Sequence, residues 1–361
     1  MTFEAANAIS SGDYPWTGRR VLVTGGAGFV GSYLVEDLLA QGAEVRVVDD
    51  MSTGSPSNLA NLSDIELLEG DLRDPETART LVSGMDVVLH LAARAYGMLR
   101  SMENNAEVLR DNSLMALHVL DACVEAGVER ALMVSSSCVY PDDAPIPTPE
   151  LPVSQGLPES VNEGYGWAKR VLEIHSRYIH EKYGLPIAIV RPFNAYGGRY
   201  RWQGEASHVV PSLVKKVLDR NGPVVVWGSG RQVRDLLHAR DFALGFRLAA
   251  ECAVDCDAIN LAGGTAVNLV ELVKKIGGLA GIADLEVELD RSRPDGRPRK
   301  QADLTKLRQK VPAFRQTVSL EEGLMDMVEW YERNKLAGVF DGSPEALDET
   351  VGTATGSVAR C

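Results

Sequence analysis

The sequence predicts an α/β protein built on a doubly wound parallel sheet, with a smaller C-terminal lobe. Short runs of β-branched and aliphatic residues alternate with longer amphipathic segments through the first half of the chain. Several of the short runs are apolar throughout, as expected of parallel strands that helices cover on both faces. The first run leads through closely spaced glycines into the first amphipathic segment. This alternation is typical of a parallel sheet with crossover helices.

Six strands and four helices are predicted over residues 19–192, which form the first domain. The strands are expected at 20–25, 44–50, 65–71, 86–93, 130–137 and 186–192. The helices are expected near 29–41, 74–83, 103–127 and 162–183. Residues 1–18 are polar and mixed in character, so we expect a flexible arm before the first strand.

The regular alternation weakens after residue 192, and a second lobe is expected over 193–335. Its helices are expected near 207–219, 267–280 and 318–335, and its strands at 223–228 and 285–289. The stretch 230–262 is expected to contribute a strand or helix to the first domain, and a strand is expected at 258–264. The first domain and the second lobe are therefore expected to interleave along the chain. Residues 338–361 are rich in Gly, Ser, Thr and Asp, which predicts a disordered tail.

Composition and charge argue against several classes of protein. The 361 residues carry a formal net charge of −13, so nucleic acid is not the expected partner. No apolar run reaches ~18 residues and no signal-peptide pattern opens the chain, so we expect no membrane association. The five cysteines lack a zinc-binding spacing, which favours reduced thiols, a cytoplasmic location and no metal site.

The run "VLVTGGAGFVG" at 21–31 predicts a Rossmann-type site for a dinucleotide. Gly25, Gly28 and Gly31 let the chain turn sharply after a strand, and the next helix presents free N–H groups to a pyrophosphate. Asp49 ends the second strand, where a carboxylate accepts hydrogen bonds from an adenosine ribose and repels a 2′-phosphate. The sequence therefore favours NAD over NADP, with Asp71 placed to reach the adenine.

The motif "YGWAK" at 165–169 predicts a catalytic tyrosine. Tyr165 and Lys169 lie one turn apart on the same helix face, so the ammonium is expected to favour the ionised phenol. Such a tyrosine acts as a general base on a hydroxyl, and Ser136 can hydrogen-bond the same oxygen. The full set of residues expected to contact NAD is Gly25, Gly28, Phe29, Val30, Gly31, Asp49, Asp50, Asp71, Leu72, Leu91, Ala92, Ala93, Tyr165 and Lys169.

These motifs together resemble those of the extended short-chain dehydrogenase/reductases that act on nucleotide sugars. The resemblance covers about residues 19–335 and rests on "TGGAGFVG", "HLAA", "SSSCVYP", "YGWAK" and "RPFNAYG". It implies a Rossmann domain that holds NAD(P) and a C-terminal lobe that binds the nucleotide sugar. It also implies a homodimer, commonly built in this family from two helices, here about 103–127 and 163–183.

Within the family, Cys138 followed by "VYP" is similar to GDP-mannose 3,5-epimerase and GDP-fucose synthase, which pair this cysteine with a second acid/base group. The run "SHVVPSLV" resembles the GDP-fucose synthase stretch that carries the partner histidine, here His208. The plant-type 3,5-epimerase has a lysine there, so the chain departs from it. A thiolate and an imidazole could invert a carbon beside a 4-keto group, provided that the pocket lowers the pKa of Cys138.

The same resemblance implies the substrate contacts. Gly97 and Met98 in "RAYGM" match a loop that lines the sugar pocket, and Asn194 matches a position near the substrate diphosphate. Arg234 corresponds to an arginine that binds the diphosphate in GDP-fucose synthase. Arg293 and Arg299, in the run at 293–307, could add positive charge together with Lys300.

The main expectation is an NAD-dependent nucleotide-sugar epimerase similar to GDP-mannose 3,5-epimerase. It would pass through a 4-keto sugar and invert carbon 5, or carbons 3 and 5, with a GDP-hexose favoured as substrate. An epimerase–reductase similar to GDP-fucose synthase, a simple 4-epimerase and a non-catalytic NAD-binding regulator remain open. Asp49 weighs against the reductase, since GDP-fucose synthase prefers NADPH. The intact set Ser136, Tyr165 and Lys169 weighs against the regulator.

Overall fold

The computed structural model describes residues 14–200, 202, 207–293 and 296–336. The described strands are β1 (Arg20–Thr24), β2 (Glu44–Asp49), β3 (Ile65–Glu69), β4 (Val87–His90), β5 (Arg130–Val134), β6 (Ile187–Pro192), β7 (Asn194–Tyr196), β8 (Val224–Trp227), β9 (Val233–His238), β10 (Ile259–Leu261), β11 (Ala266–Asn268), β12 (Val287–Asp290) and β13 (Arg299–Lys300). The described helices are α1 (Phe29–Ala40), α2 (Pro75–Val82), α3 (Met98–Glu103), α4 (Asn105–Ala126), α5 (Glu163–Tyr183), α6 (Val209–Leu218), α7 (Ala239–Cys252), α8 (Leu269–Leu279), α9 (Thr305–Lys310) and α10 (Leu320–Leu336).

A seven-stranded parallel sheet forms the centre of the first domain, in the order β10-β6-β5-β4-β1-β2-β3. Strand β1 pairs with β2 on one side and with β4 on the other, so the strand order reverses beside β1. In doubly wound sheets, ligands bind at the carboxyl ends of the strands beside such a switch point. Strand β10 lies parallel to β6 at one edge, so the stretch after residue 230 adds a strand to the first domain. The predicted fold class is confirmed.

Two apolar cores cover the faces of this sheet, which explains why several of its strands are largely apolar. On one face, α1 and α7 pack against the strands through side chains such as Leu34 and Phe242. On the other face, α2, α4 and α5 pack through Leu81, Met115 and Leu172. A third core lies in the second lobe, where α6, α8 and α10 enclose the pair β8–β12.

The chain before β1 differs in part from the predicted flexible arm. Residues 1–13 lie outside the described residues, as does the predicted tail at 338–361. Trp16, however, is 3% exposed, and its indole N–H donates to Glu251 at 2.7 Å. Tyr14 packs edge-on against it at 4.9 Å between ring centres. Burial of two aromatic rings therefore anchors the last part of this segment to the first domain.

None of the helices within the described ranges combines the length and the hydropathy that a membrane span requires.

Candidate active site

One cleft of about 1080 Å³ opens at the carboxyl ends of the central strands and continues between the two domains. Its wall runs from the glycine turn after β1 to Trp227 in the second lobe. Sites for a single small ligand occupy roughly 300–1,000 Å³. The size and elongation of this cleft therefore suit a dinucleotide together with a second ligand.

The glycine turn has the shape that a pyrophosphate requires. Gly25 has a positive φ of 69°, and a Cβ added at Gly31 would lie 2.1 Å from the Gly25 carbonyl oxygen. Only glycine at both positions lets α1 start this close to β1. Helix α1 begins after Gly28, and no described side chain caps its first N–H groups. These groups are left free to bind an anionic ligand.

Asp49, at the end of β2, forms a hydrogen bond with the glycine turn. Its carboxylate accepts the Ala27 N–H at 3.1 Å and the Met51 N–H at 3.0 Å, and the residue is 7% exposed. Burial raises the pKa of this carboxyl, although the backbone N–H groups oppose that effect. The arrangement holds the carboxylate at the cleft wall, where a ribose hydroxyl can reach it.

The residues predicted to contact NAD lie together in the cleft wall, apart from Lys169. They are Gly25, Gly28, Phe29, Val30, Gly31, Asp49, Asp50, Asp71, Leu72, Leu91, Ala92, Ala93 and Tyr165. Asp71 pairs with Arg73 at 2.5 Å, and this hydrogen bond is the main cause that lowers the pKa of its carboxyl. The donors and acceptors of this wall fit a dinucleotide with an unmodified ribose.

The three serines after β5 have different roles in the structure. The Ser135 hydroxyl donates to the buried carboxylate of Glu173 at 2.5 Å. The Ser136 hydroxyl accepts the Cys138 N–H at 3.1 Å, which starts a single helical turn. Ser136, Ser137 and Cys138 all line the cleft. The buried strand therefore ends in hydroxyl groups because its last turn faces the site.

Lys169 lies behind Tyr165 rather than in the cleft wall. It is 2% exposed, its ammonium donates to the Val134 carbonyl at 2.8 Å, and it lies 5.5 Å from the Tyr165 ring centre. Burial lowers the pKa of Lys169 to about 8 and raises the pKa of Tyr165. In the chain alone, burial and then the nearby Cys138 raise the pKa of Tyr165, so the effect expected from the ammonium stays a prediction for the NAD-bound enzyme.

A thiolate at Cys138 was expected only if the pocket lowers the pKa of this thiol. The pocket does not lower it. Burial, followed by the negative charge of Glu159, raises the pKa of this thiol to about 12. The positive charge of Lys300 opposes that shift without cancelling it. Cys138 is therefore a protonated thiol at neutral pH.

His208 precedes α6 and lines the same cleft as Cys138. The Tyr200 hydroxyl accepts the His208 backbone N–H at 2.9 Å. The same hydroxyl lies 2.8 Å from Nδ1 of His208, and this contact fixes the orientation of the imidazole ring. Burial within the cleft lowers the pKa of the His208 imidazole to about 4, although the residue keeps accessible surface there. The charge of Lys300 acts in the same direction. The site thus holds a neutral imidazole and a protonated thiol.

Some of the predicted substrate contacts line the cleft, and others do not. Gly97, Asn194 and Arg234 line the cleft, and Met98 begins α3 directly after Gly97.

Arg293 and Arg299 are not brought into the cleft wall, which contradicts their prediction as substrate contacts. Arg299 is exposed and donates to Gln301 at 2.7 Å. Arg293 stacks on the Trp227 ring at 4.9 Å and lies 3.9 Å from Asp290. In β13 the side chains alternate, so Lys300 faces the cleft while Arg299 faces away.

Two buried charged residues of the cleft wall, Glu159 and Arg297, were not among the predicted site residues. Lys300, which was expected to add positive charge, is buried in the same wall. Arg297 is 4% exposed, and its Nε and Nη1 have no hydrogen-bond partner among the described residues. The run "PDGRPRK" was a visible signal for Lys300, whereas Glu159 stands in a loop without a recognisable pattern.

Comparison with known proteins places these features in a family. The chain is 31% identical over 329 residues to dTDP-4-dehydro-6-deoxy-D-allose reductase from Streptomyces bikiniensis, covering 88% of this chain and 98% of the relative. It is 30% identical to a probable GDP-L-fucose synthase of Oryza sativa subsp. japonica, covering 89% and 94% of the two chains. An epimerase structure from Methanothermobacter thermautotrophicus superposes with a TM-score of 0.81 at 30% identity, covering 89% of this chain and 94% of the other.

The model of the NAD dependent epimerase/dehydratase family matches residues 21–262, a range that contains the glycine turn, Asp49, Cys138 and Tyr165. The predicted family and the predicted cofactor, NAD, are confirmed. This chain belongs to the NAD dependent epimerase/dehydratase family and is an enzyme that acts on nucleotide sugars.

Proposed function

We propose that this enzyme is a nucleotide-sugar epimerase that forms a transient 4-keto sugar and inverts carbon 5, or carbons 3 and 5. One observation carries the proposal: Cys138 and His208, from different domains, line the same cleft as Ser136 and Tyr165. A simple 4-epimerase has no need for a second acid/base pair at this place. The geometry supports proton transfer at a carbon beside the carbonyl group.

The oxidation step assigns roles to three residues. Tyr165 removes the proton of the 4-hydroxyl, Ser136 hydrogen-bonds the same oxygen, and Lys169 supplies positive charge behind the phenol. NAD, when bound, supplies the hydride acceptor and further positive charge. Because burial raises the pKa of Tyr165 in the chain alone, we expect the tyrosine to act as a base only when the site is filled.

The inversion step follows from the protonation states of the two remaining groups. The neutral imidazole of His208 accepts a proton from carbon 5, which the neighbouring ketone has made acidic. The thiol of Cys138 donates a proton to the opposite face of the same carbon. The resulting imidazolium and thiolate return to their starting states by proton exchange with water. With NAD bound, return of the hydride to carbon 4 would complete the cycle.

A second candidate is an epimerase–reductase that ends in net reduction of a 4-keto sugar. The names of two relatives, a 4-dehydro-sugar reductase and a GDP-L-fucose synthase, favour it. Asp49 favours the redox-neutral cycle instead, because its carboxylate at the ribose position suits NAD rather than NADP. The choice of nucleotide base follows only from relatives, whose names include both GDP and dTDP.

Turnover of GDP-, UDP- and dTDP-hexoses in D₂O tests the proposal. We expect one substrate to yield an epimer that carries deuterium at carbon 5, or at carbons 3 and 5, without net consumption of NADH, as followed by NMR and absorbance. Deuterium together with stoichiometric oxidation of NADH, as a 4-keto sugar is reduced, identifies the epimerase–reductase. A 4-epimer free of deuterium contradicts the proposed roles of Cys138 and His208.

We also propose that the protein is a homodimer through α4 and α5. These helices pack side by side, and their outer face exposes Leu109 at 36%, Ile174 at 36% and Tyr178 at 55%. We expect light scattering to give about twice the chain mass of 39.1 kDa, and Ile174→Asp together with Tyr178→Asp to give the single mass. A parent protein that scatters as a monomer contradicts this arrangement.

A further inference from the structure

Tyr200 lies between the two domains, beside His208. Its ring makes edge contacts with Phe29 at 5.5 Å and with Trp202 at 5.9 Å, measured between ring centres. Phe29 begins the helix that follows the glycine turn, whereas Trp202 belongs to the apolar core of the second lobe. Aromatic rings prefer this edge-on arrangement, which gives each ring a defined place. The phenol hydroxyl is therefore positioned by both domains.

The backbone before Tyr200 is also attached to the first domain. Arg199 has a positive φ of 61°, and its guanidinium lies 2.6 Å from the carboxylate of Glu36 in α1. The Asn58 side chain donates to the Arg199 carbonyl at 3.4 Å and to the Ala27 carbonyl of the glycine turn at 3.0 Å. An arginine keeps this uncommon backbone conformation only where its surroundings hold it. This segment is thus built against the dinucleotide site.

The Tyr200 hydroxyl has one proton and three hydrogen-bonding groups around it among the described residues. It accepts the His208 backbone N–H at 2.9 Å and lies 2.8 Å from His208 Nδ1. The Ser207 side chain also hydrogen-bonds the phenol. Burial raises the pKa of Tyr200 to about 12, so the phenol keeps its proton at neutral pH. That proton can be donated either to Nδ1 or to the Ser207 hydroxyl.

The two arrangements give His208 opposite chemistry. The phenol occupies Nδ1, and within the described ranges Nε2 has no hydrogen-bond partner, so Nε2 is the nitrogen left for a ligand in the cleft. If Nδ1–H donates to the phenol oxygen, Nε2 keeps its lone pair and can accept a proton. If the phenol donates to Nδ1 instead, Nε2 carries the proton and the neutral ring can act only as an acid.

We propose that Tyr200 is a positioning residue that accepts the Nδ1–H of His208 and thereby presents the Nε2 lone pair to carbon 5 of the substrate. The phenol donates its own proton to Ser207. When Nε2 takes the proton from carbon 5, the imidazolium keeps its Nδ1–H on the phenol oxygen, so no proton passes to Tyr200. The purpose of this contact rests on the proposed epimerase function, whereas the tautomer of His208 does not.

Nitrogen-15 NMR of the NAD-loaded enzyme, with histidine labelled selectively, measures the tautomer without substrate. The signals that His208→Ala removes identify the two ring nitrogens of His208. We expect a single neutral tautomer at neutral pH, with the proton on Nδ1. Tyr200→Phe removes the hydroxyl and keeps the ring between Phe29 and Trp202. In this variant part of the proton should move to Nε2, because nothing then selects one tautomer.

The same variant should slow the inversion and leave the oxidation unchanged. We expect deuterium incorporation from D₂O, with the nucleotide sugar that turns over, to fall about 10- to 100-fold, as when a group that orients a metal-bound histidine is lost. KM and transient NADH formation should equal those of the parent, because the contact acts in the transition state of inversion.

Tyr196→Phe is the matched control. It removes a phenol hydroxyl of β7, four residues before Tyr200, which donates to the Ser319 carbonyl at 3.3 Å and lies outside the cleft wall. The His208 signals and the rate of deuterium incorporation should be those of the parent.

A parent enzyme in which Nε2 of His208 carries the proton, or in which both tautomers are populated, would overturn the inference. Unchanged His208 signals or unchanged deuterium incorporation in Tyr200→Phe would do the same. Because the first result comes from the parent enzyme, the test does not depend on the folding of the variant. If no substrate exchanges deuterium at carbon 5, the proposed function fails, and the tautomer measurement still decides the role of Tyr200 at His208.

Discussion

Tyr165→Phe is expected to lower turnover about 10²–10⁴-fold, the usual contribution of a general base. The substitution removes only the hydroxyl, and the ring keeps its place 5.5 Å from the Lys169 ammonium. Affinity for NAD should stay within about twofold, because the glycine turn and Asp49 are untouched. The measurements are the steady-state rate with the active nucleotide sugar and NAD titration by fluorescence.

Tyr183→Phe is the matched control for this variant. Tyr183 ends the same helix, α5, and is 36% exposed. We expect its rate and NAD affinity to equal those of the parent. A Tyr165→Phe enzyme with a near-normal rate would remove this tyrosine from the oxidation step and transfer the role of base to another group.

Cys138→Ala and His208→Ala are expected to separate inversion from hydride transfer. Each removes one member of the acid/base pair, so deuterium incorporation beside the ketone should fall about 10²–10⁴-fold. Oxidation at carbon 4 needs neither group, so NADH should still form transiently in a single turnover. Deuterium by NMR and NADH absorbance measure the two steps independently.

The controls are Cys256→Ala and His175→Ala. Cys256 lies outside the cleft wall, and His175 of α5 pairs with Asp121 of α4 at 3.1 Å. Both should behave as the parent in the two measurements. Incorporation of deuterium by Cys138→Ala at the parent rate would make the thiol a structural residue.

The pH dependence of the inversion should follow the two groups in opposite ways. His208 has a pKa lowered to about 4, so it loses its ability to accept a proton only as the pH falls towards that value. Cys138 has a pKa raised to about 12, so it stays a donor through neutral and mildly basic pH. The inversion step itself is therefore not expected to vary steeply around neutrality.

Much of the fold could be predicted because its signals are local. The largely apolar runs at 20–25 and 86–93 became β1 and β4, since a strand covered on both faces is mainly apolar. The glycine spacing marked the turn before α1 because a Cβ at Gly31 would meet the Gly25 carbonyl oxygen. The short strands β7, β11 and β13 were not predicted, because their pairing with the distant strand β9 decides them. The six-residue helices α3 and α9 were not predicted either.

The site divides in the same way. The sequence alone was enough to identify Ser136, Tyr165 and Lys169 as site residues, and hence the family and the cofactor, because each motif that contains them is contiguous in the chain. Tertiary structure alone decided the charge of Cys138, because that charge depends on burial and on Glu159 and Lys300, which approach from elsewhere. It also decided that Lys300 rather than Arg299 faces the cleft. Electrostatic fields and side-chain directions depend on distances in space, and a sequence records only distances along the chain.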